Sequence, residues 1–485
     1  MFGPGPSAML PIRQLNWLQV DNVRWIRIAH RSLKLRADCM FEKAFPHQKP
    51  TRSSSRPMLK PILLYEAELD SFGPIEALDQ SLVGSQSRTE HSMFRRSIWI
   101  GSGSRGRPQG TGWGLLDSVV DITIVESAVG SGAVCLDGSP PAYYLDIGSG
   151  EGANNWLLFH EGGAWCQNAD DCLQRSYTQL GSSTQMPASI TFVGMVSDSP
   201  VENPDFYNWN RVYLKYCDGG SFNGDVSDPM QVNGTGPSVN IFLRGQRIWE
   251  AVMEDLMEKG MKDAQKALLS GCSAGGLTAF LHCDQYRDLM PTTTLVKCVS
   301  DAAFFLDIPD VSGVQTIATF FADVVQVHNM TANLPKYCVS ADDAARCIFP
   351  EYIIPGLQTP FFVLNAAYDS WQMSNILVPP SADPTGIWNN CKSDLSLCSE
   401  AQLQVVQGFR ESLLEKLQPL LESAQDGAFI DSCHRHCQSD DDGIWNGLSP
   451  LVDNKTITEV VADWYFERNS TKVIDCPYPC NPCQG

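Results

Sequence analysis

No apolar run in this 485-residue chain approaches the roughly 20 residues that a membrane-spanning helix needs. The basic excess of a nucleic-acid binder is missing as well. The formal net charge is −20, so a phosphate backbone would be repelled. No internal repeat is visible. The opening residues Met1-Phe2-Gly3-Pro4-Gly5-Pro6 are not followed by the continuous apolar stretch of about 7–15 residues that a signal peptide carries.

Cysteine, by contrast, is abundant. Of the 17 cysteines, only Cys39 precedes Cys135, and the others run on to Cys483. That density points to an oxidising compartment and to disulfides. Asn-x-Ser/Thr sequons at Asn233, Asn329, Asn454 and Asn469 fit a secreted glycoprotein. Zinc is the competing use of cysteine. Cys476-Pro-Tyr-Pro-Cys480-Asn-Pro-Cys483 is compact, and Cys433 lies close to Cys437. Spread along a whole domain, however, the cysteines favour pairing, with a connectivity that spacing does not give.

The charge is uneven. Residues 1–110 hold 16 Lys+Arg and 9 Asp+Glu, a net of +7, which leaves −27 for the remainder. Residues 1–115 are basic, rich in Ser and Arg, and poorly periodic, with at most a short amphipathic helix at Arg24 to Arg36. They read as a disordered or poorly structured extension, and residues 116–485 as the folded domain. Within that domain short apolar runs alternate with helical patterns. Trp156–His160, Val212–Tyr216, Asn240–Leu243 and Phe361–Asn365 read as strands. Gln246–Lys259, Leu277–Arg287, Ser399–Leu421 and Thr456–Phe466 read as helices. The pattern predicts an α/β fold, a mostly parallel sheet covered on both faces.

The chemistry centres on Gly271-Cys272-Ser273-Ala274-Gly275, set between the apolar run Ala267-Leu268-Leu269 and a helix. A Gly-x-Ser-x-Gly turn there is a nucleophile elbow, and it makes Ser273 a candidate nucleophile. The plain alternative is an ordinary strand-to-helix turn. Serine needs a base, and the base needs an acid to orient it. Asp369 ends an apolar strand after the elbow, where the acid belongs, although position alone fits an exposed helix cap equally well. His282 lies on the helix after the elbow and His328 has no supporting context. His434 and His436 share the loop Ser432-Cys433-His434-Arg435-His436-Cys437, and spacing does not separate them. Flanking cysteines would staple that loop. Glu161-Gly162-Gly163-Ala164-Trp165 follows a strand and suits an oxyanion loop, with Gly163 and Ala164 joining Ala274 as backbone donors.

Several stretches together resemble the plant pectin acetylesterases, a family related to the animal Notum carboxylesterase. They include Gly132–Gly138, Asn203–Val212, Tyr216-Cys217-Asp218-Gly219, Arg244–Trp249, Leu269–Leu277, Asn365–Trp371, Asp463–Phe466 and Ile474–Cys480. The resemblance spans about Val119 to Cys483 and implies a Ser-Asp-His esterase on an α/β-hydrolase fold, without metal or organic cofactor. It places the triad on Ser273, Asp369 and His436, since the pattern Ser-Cys-x-x-His-Cys selects His436 over His434. The implied substrate is acetylated homogalacturonan of the cell wall, with water as second substrate and acetate as product. A secreted monomer is expected. Three departures stand out: His160 where an aliphatic residue is usual, Ala164 where many members have a third glycine, and residues 1–115 without counterpart. The rival readings are a Notum-like esterase of another acyl group, favoured by a deep apolar pocket beside Ser273, a silent wall-binding glycoprotein, and a zinc protein.

Overall fold

The computed structural model describes residues 119–232, 238–339, 344–447, 450–469, 471–481 and 483. The extension at 1–115, its expected helix at Arg24–Arg36, Cys39 and the sequon at Asn233 lie outside the described residues.

The strands are β1 Val119–Ile124, β2 Ala142–Asp146, β3 Asn155–His160, β4 Ser189–Thr191, β5 Asn210–Leu214, β6 Met230–Val232 and β7 Val239–Ile241. They continue with β8 Lys266–Gly271, β9 Leu295–Asp301, β10 Phe361–Ala366, β11 Gly427–Asp431 and β12 Lys472–Ile474. Ten of them form one sheet in the order β12-β11-β10-β9-β8-β3-β5-β2-β1-β4. From β12 to β5 every pairing is parallel. β2, β1 and β4 continue it antiparallel. Every residue of β3 and β10 is buried, as a strand covered on both faces requires.

Alternation along the strands divides the core. Trp156, Leu158, Ala267 and Leu269 face one layer, while Leu157, Phe159 and Leu268 face the other. The first layer holds helices α2 Gly245–Glu258, α3 Ala274–Leu289, α4 Thr316–Val327 and α5 Glu400–Lys416, which follow α1 Ala169–Ser176. The short helix α6 is Gln418–Glu422, and α7, Ile457–Tyr465, packs on the second layer. This is the α/β-hydrolase architecture.

Local chemistry sets several ends. Ser399 with Gln402 and Thr456 with Glu459 form capping boxes that start α5 and α7. Two expectations need correction. The helix expected over Ser399–Leu421 breaks at Leu417, because Pro419 lacks an N–H and crowds the carbonyl one turn back. The strand expected at Asn240–Leu243 is not in the main sheet. It is β7, paired with β6 in a separate ribbon, and its run ends after three residues as the chain turns into α2. β9 was not among the strands expected from the sequence, and Lys297 interrupts its apolar run. That side chain is buried and donates to the Trp464 carbonyl at 2.9 Å.

The described cysteines form eight disulfides: 135–217, 166–172, 272–437, 283–298, 338–347, 391–398, 433–483 and 476–480. Cys433, Cys476, Cys480 and Cys483, for which zinc was the competing use, carry no thiolate in this arrangement.

Candidate active site

Between β8 and α3 the chain turns through Ser273 with φ 57° and ψ −125°. A left-handed serine costs about 1–3 kcal/mol and persists only where its surroundings enforce it. Here they do. A Cβ on Gly271 would lie 2.4 Å from the Gly275 carbonyl oxygen, and one on Gly275 would lie 2.1 Å from that of His160. Only glycines pass so close, and the turn pushes the serine out at the carboxyl edge of the sheet.

Three distant residues meet there. His436 Nε2 lies 2.8 Å from Ser273 Oγ. His436 Nδ1 lies 2.8 Å from Asp369 Oδ2 and 3.0 Å from Oδ1. The carboxylate only accepts, so Nδ1 carries the proton and Nε2 is free to accept one from the serine. Asp369 is fully buried and also caps the next turn through Gln372 N, at 2.9 Å. It is a cap and a histidine partner at once, and it is not exposed. Burial disfavours the His436 imidazolium, but the charge and hydrogen bond of Asp369, with Asp301 and Asp440 behind them, outweigh burial and hold its pKa above the ordinary value. Trp371 stacks on the ring at 6.0 Å and 27°. His434 does not touch Ser273, and burial lowers its pKa. His282 and His328 are buried away from the serine, bonded to the Phe222 and Cys166 carbonyls.

The loop carrying His436 is anchored on both sides. Cys433 is tied to Cys483, and Cys437 to Cys272, so the neighbour of the base is bonded to the neighbour of the nucleophile. Asp301, at the end of β9, accepts from Gln438 N at 2.6 Å and from Ser439 N and Oγ at 2.7 Å. Its main-chain carbonyl accepts from Ser273 N at 2.9 Å. Asp431, at the end of β11, accepts from Cys433 N and Gln438 Nε2. Burial pushes Asp301 up to about 6 and Asp431 up to about 7. Sequence reasoning passed over Asp301, the last residue of β9, whereas Asp369 lies three residues beyond the end of β10.

The loop after β3 lies on the elbow. A Cβ on Gly162 would stand 3.0 Å from Ser273 Cβ. Arg175, on α1, donates to the Gly163 carbonyl at 2.7 Å and to the Leu180 carbonyl at 2.9 Å. The trans peptide therefore points the Ala164 N–H the opposite way. Tyr216 OH donates to the Ala164 carbonyl at 2.8 Å. Ala164 has φ 53° and Gly163 φ 145°, so glycine would be at ease at both places, and alanine at 164 carries strain. Glu161 takes the Tyr216 N–H at 2.9 Å and the Lys215 ammonium. His160, fully buried, bonds the Ser270 carbonyl at 2.9 Å, and burial lowers its pKa to about 3, so it stays neutral.

Two cavities lie near these residues, and His436 lines the first of them. One, of about 600 Å³, is lined by Ser370, Asp394, His434, Arg435, His436 and Asn481 among others. The other, of about 260 Å³, includes Glu161, Tyr213, Lys215 and Asp440.

Fold and site define an α/β-hydrolase with a serine, a histidine and an aspartate in hydrogen-bonded series. A family model described as pectinacetylesterase matches residues 116–484. Pectin acetylesterase 11 of Arabidopsis thaliana is 48% identical over 365 residues, which cover 75% of this chain and 92% of that protein. Pectin acetylesterase 7 of the same plant is 47% identical over the same length. The palmitoleoyl-protein carboxylesterase notum1a of Danio rerio is 31% identical over 253 residues, 50% of this chain and 49% of that protein. The chain belongs to the pectinacetylesterase family, and it is an esterase.

Proposed function

We propose that the protein removes acetyl groups from acetylated galacturonan by a serine mechanism. His436 takes the Ser273 proton through Nε2 while Asp369 holds the Nδ1 proton. Ser273 Oγ attacks the acetyl carbonyl. The N–H groups of Gly163, Ala164 and Ala274 receive the oxyanion. Collapse breaks the ester bond, and His436 returns the proton to the departing sugar oxygen, leaving an acetyl-enzyme. Water, deprotonated by His436, then attacks the acetyl carbon. The second collapse frees acetate and restores the serine.

The 2.8 Å contact between His436 Nε2 and Ser273 Oγ carries this reading. The hydroxyl, amide and charged side chains among the lining of the larger cavity beside His436, such as Ser370, Asp394, Arg435 and Asn481, suit a sugar better than a long acyl chain. No helix among the described residues is long and apolar enough to cross a membrane. The disulfides and the exposed sequon asparagines Asn329, Asn454 and Asn469 favour an extracellular, glycosylated protein, acting as a monomer because one chain holds every group named. The test is acetate release from acetylated pectin by wild type and Ser273→Ala. The variant should lose roughly 10⁵-fold or more in kcat with its fold intact. A variant that keeps a tenth of the activity would refute the mechanism.

A further inference from the structure

The domain after residue 110 carries −27, and its substrate on the reading above is a polyuronate, also anionic. Long-range attraction cannot bring the two together. The groups around His436 sharpen the problem, since Asp369, Asp301 and Asp440 all act on it. A cation placed at the site itself is needed, and most candidates are committed. Lys215 is paired with Glu161. Arg175 is spent on the Gly163 and Leu180 carbonyls. Arg435 differs. It lines the larger cavity together with His436, and its guanidinium has no hydrogen bond or ion pair among the described residues. Its backbone is fixed, because its carbonyl accepts from Ser370 N at 3.2 Å and its loop is held by the disulfides at Cys433 and Cys437.

We propose that Arg435 forms a carboxylate subsite in the cavity beside His436, reading a free uronate of the polymer next to the acetyl ester being cleaved. This rests on the galacturonan reading and deepens it. The planar guanidinium offers paired N–H donors that match a carboxylate, a geometry lysine cannot copy. Apart from His436 and the Tyr478 phenol, two ionisable groups line the cavity with Arg435. Asp394 caps its own turn, its carboxylate taking Ser396 N at 2.8 Å, and that bond holds its pKa below the usual carboxylate value, so it stays an anion that Arg435 has to outweigh. Burial lowers the pKa of His434 and so disfavours its charged form. Arg435 therefore supplies the permanent positive charge in this cavity. A volume of about 600 Å³ is ample for small-ligand binding. Of the pattern Ser-Cys-x-x-His-Cys, Arg435 occupies an open position, so it can set preference without altering the base itself.

The test uses the full chain and its Arg435→Gln and Arg435→Lys variants. Acetylated polygalacturonate is compared with the same polymer after methyl esterification, which removes its charge. The ratio of kcat/KM on the anionic polymer to that on the neutral one should fall about tenfold in Arg435→Gln and be partly restored in Arg435→Lys. Unacetylated oligogalacturonate should inhibit hydrolysis of p-nitrophenyl acetate by the wild type, with Ki about tenfold higher in Arg435→Gln. An unchanged ratio, or an equal loss on both polymers, overturns the subsite. Oligogalacturonate inhibition that does not depend on Arg435 also overturns it. If neither polymer releases acetate while inhibition still depends on Arg435, the subsite stands and the deacetylation reading falls.

Discussion

Removing the Cys272–Cys437 disulfide, by replacing both residues with alanine, should cost stability far more than it costs catalysis. The bond closes a loop with a sequence separation of 165. Chain-entropy arguments give about 5 kcal/mol for a loop of that length in isolation. The bonds 283–298, 338–347 and 391–398 lie inside it, with separations of 15, 9 and 7. They shorten the effective loop only slightly, and the dependence is logarithmic. Measured disulfides usually deliver less than the model, so about 4 kcal/mol is expected, a large share of a typical folding free energy. In a domain of about 370 residues that is a fall in Tm of about 5 °C. Catalysis should suffer less. His436 keeps its bonds to Asp369, and its loop keeps Asp301, Asp431 and the 433–483 bond. A displacement well under 1 Å should cost about tenfold in kcat, against roughly 100-fold for a full 1 Å. Calorimetry and p-nitrophenyl acetate hydrolysis at 25 °C would measure both. A Tm change under about 2 °C would refute the loop-closure argument. A kcat loss beyond about 10³ with the fold intact would show that the disulfide, not the carboxylates, positions the base.

Asp369→Asn should lower kcat by roughly 10⁴-fold by releasing the histidine tautomer. The working form of His436 is neutral, so wild-type activity should fall as pH drops through its raised pKa, above the usual 6.5. Without the Asp369 charge that acid limb should move to lower pH, and a limb that stays put would contradict the assignment. Lys215→Met leaves the Glu161 carboxylate nearly buried without its cation and should cost about 3–5 kcal/mol at pH 7. Burial raises the Glu161 pKa, so protonation removes the unpaired charge and the loss should shrink as pH falls. Denaturant titrations at two pH values would show whether it does. A chain beginning near Val119 should keep its esterase activity, since the family match begins at residue 116. Failure of that chain to fold would give the preceding residues a structural role.

The elbow motif and the helices starting at Ser399 and Thr456 could be read from the sequence because each depends on neighbours a few residues away, while position alone left Asp369 open between a triad acid and a helix cap. Gly271 and Gly275 flank Ser273 directly, and Ser399 caps with Gln402. Apolar run length likewise identified β3 and β10. Spacing could not choose between His434 and His436, pair the cysteines, or find Asp301, Arg175 and Lys215. Those depend on contacts between residues far apart in the chain, such as the 163 positions separating Ser273 from His436. The fold decides them through parallel registry. β8, β9, β10 and β11 lie side by side and deliver Ser273, Asp301, Asp369 and the His436 loop to one edge of the sheet. Which side chain of a loop then reaches the serine is fixed by the bonds that anchor it on either side.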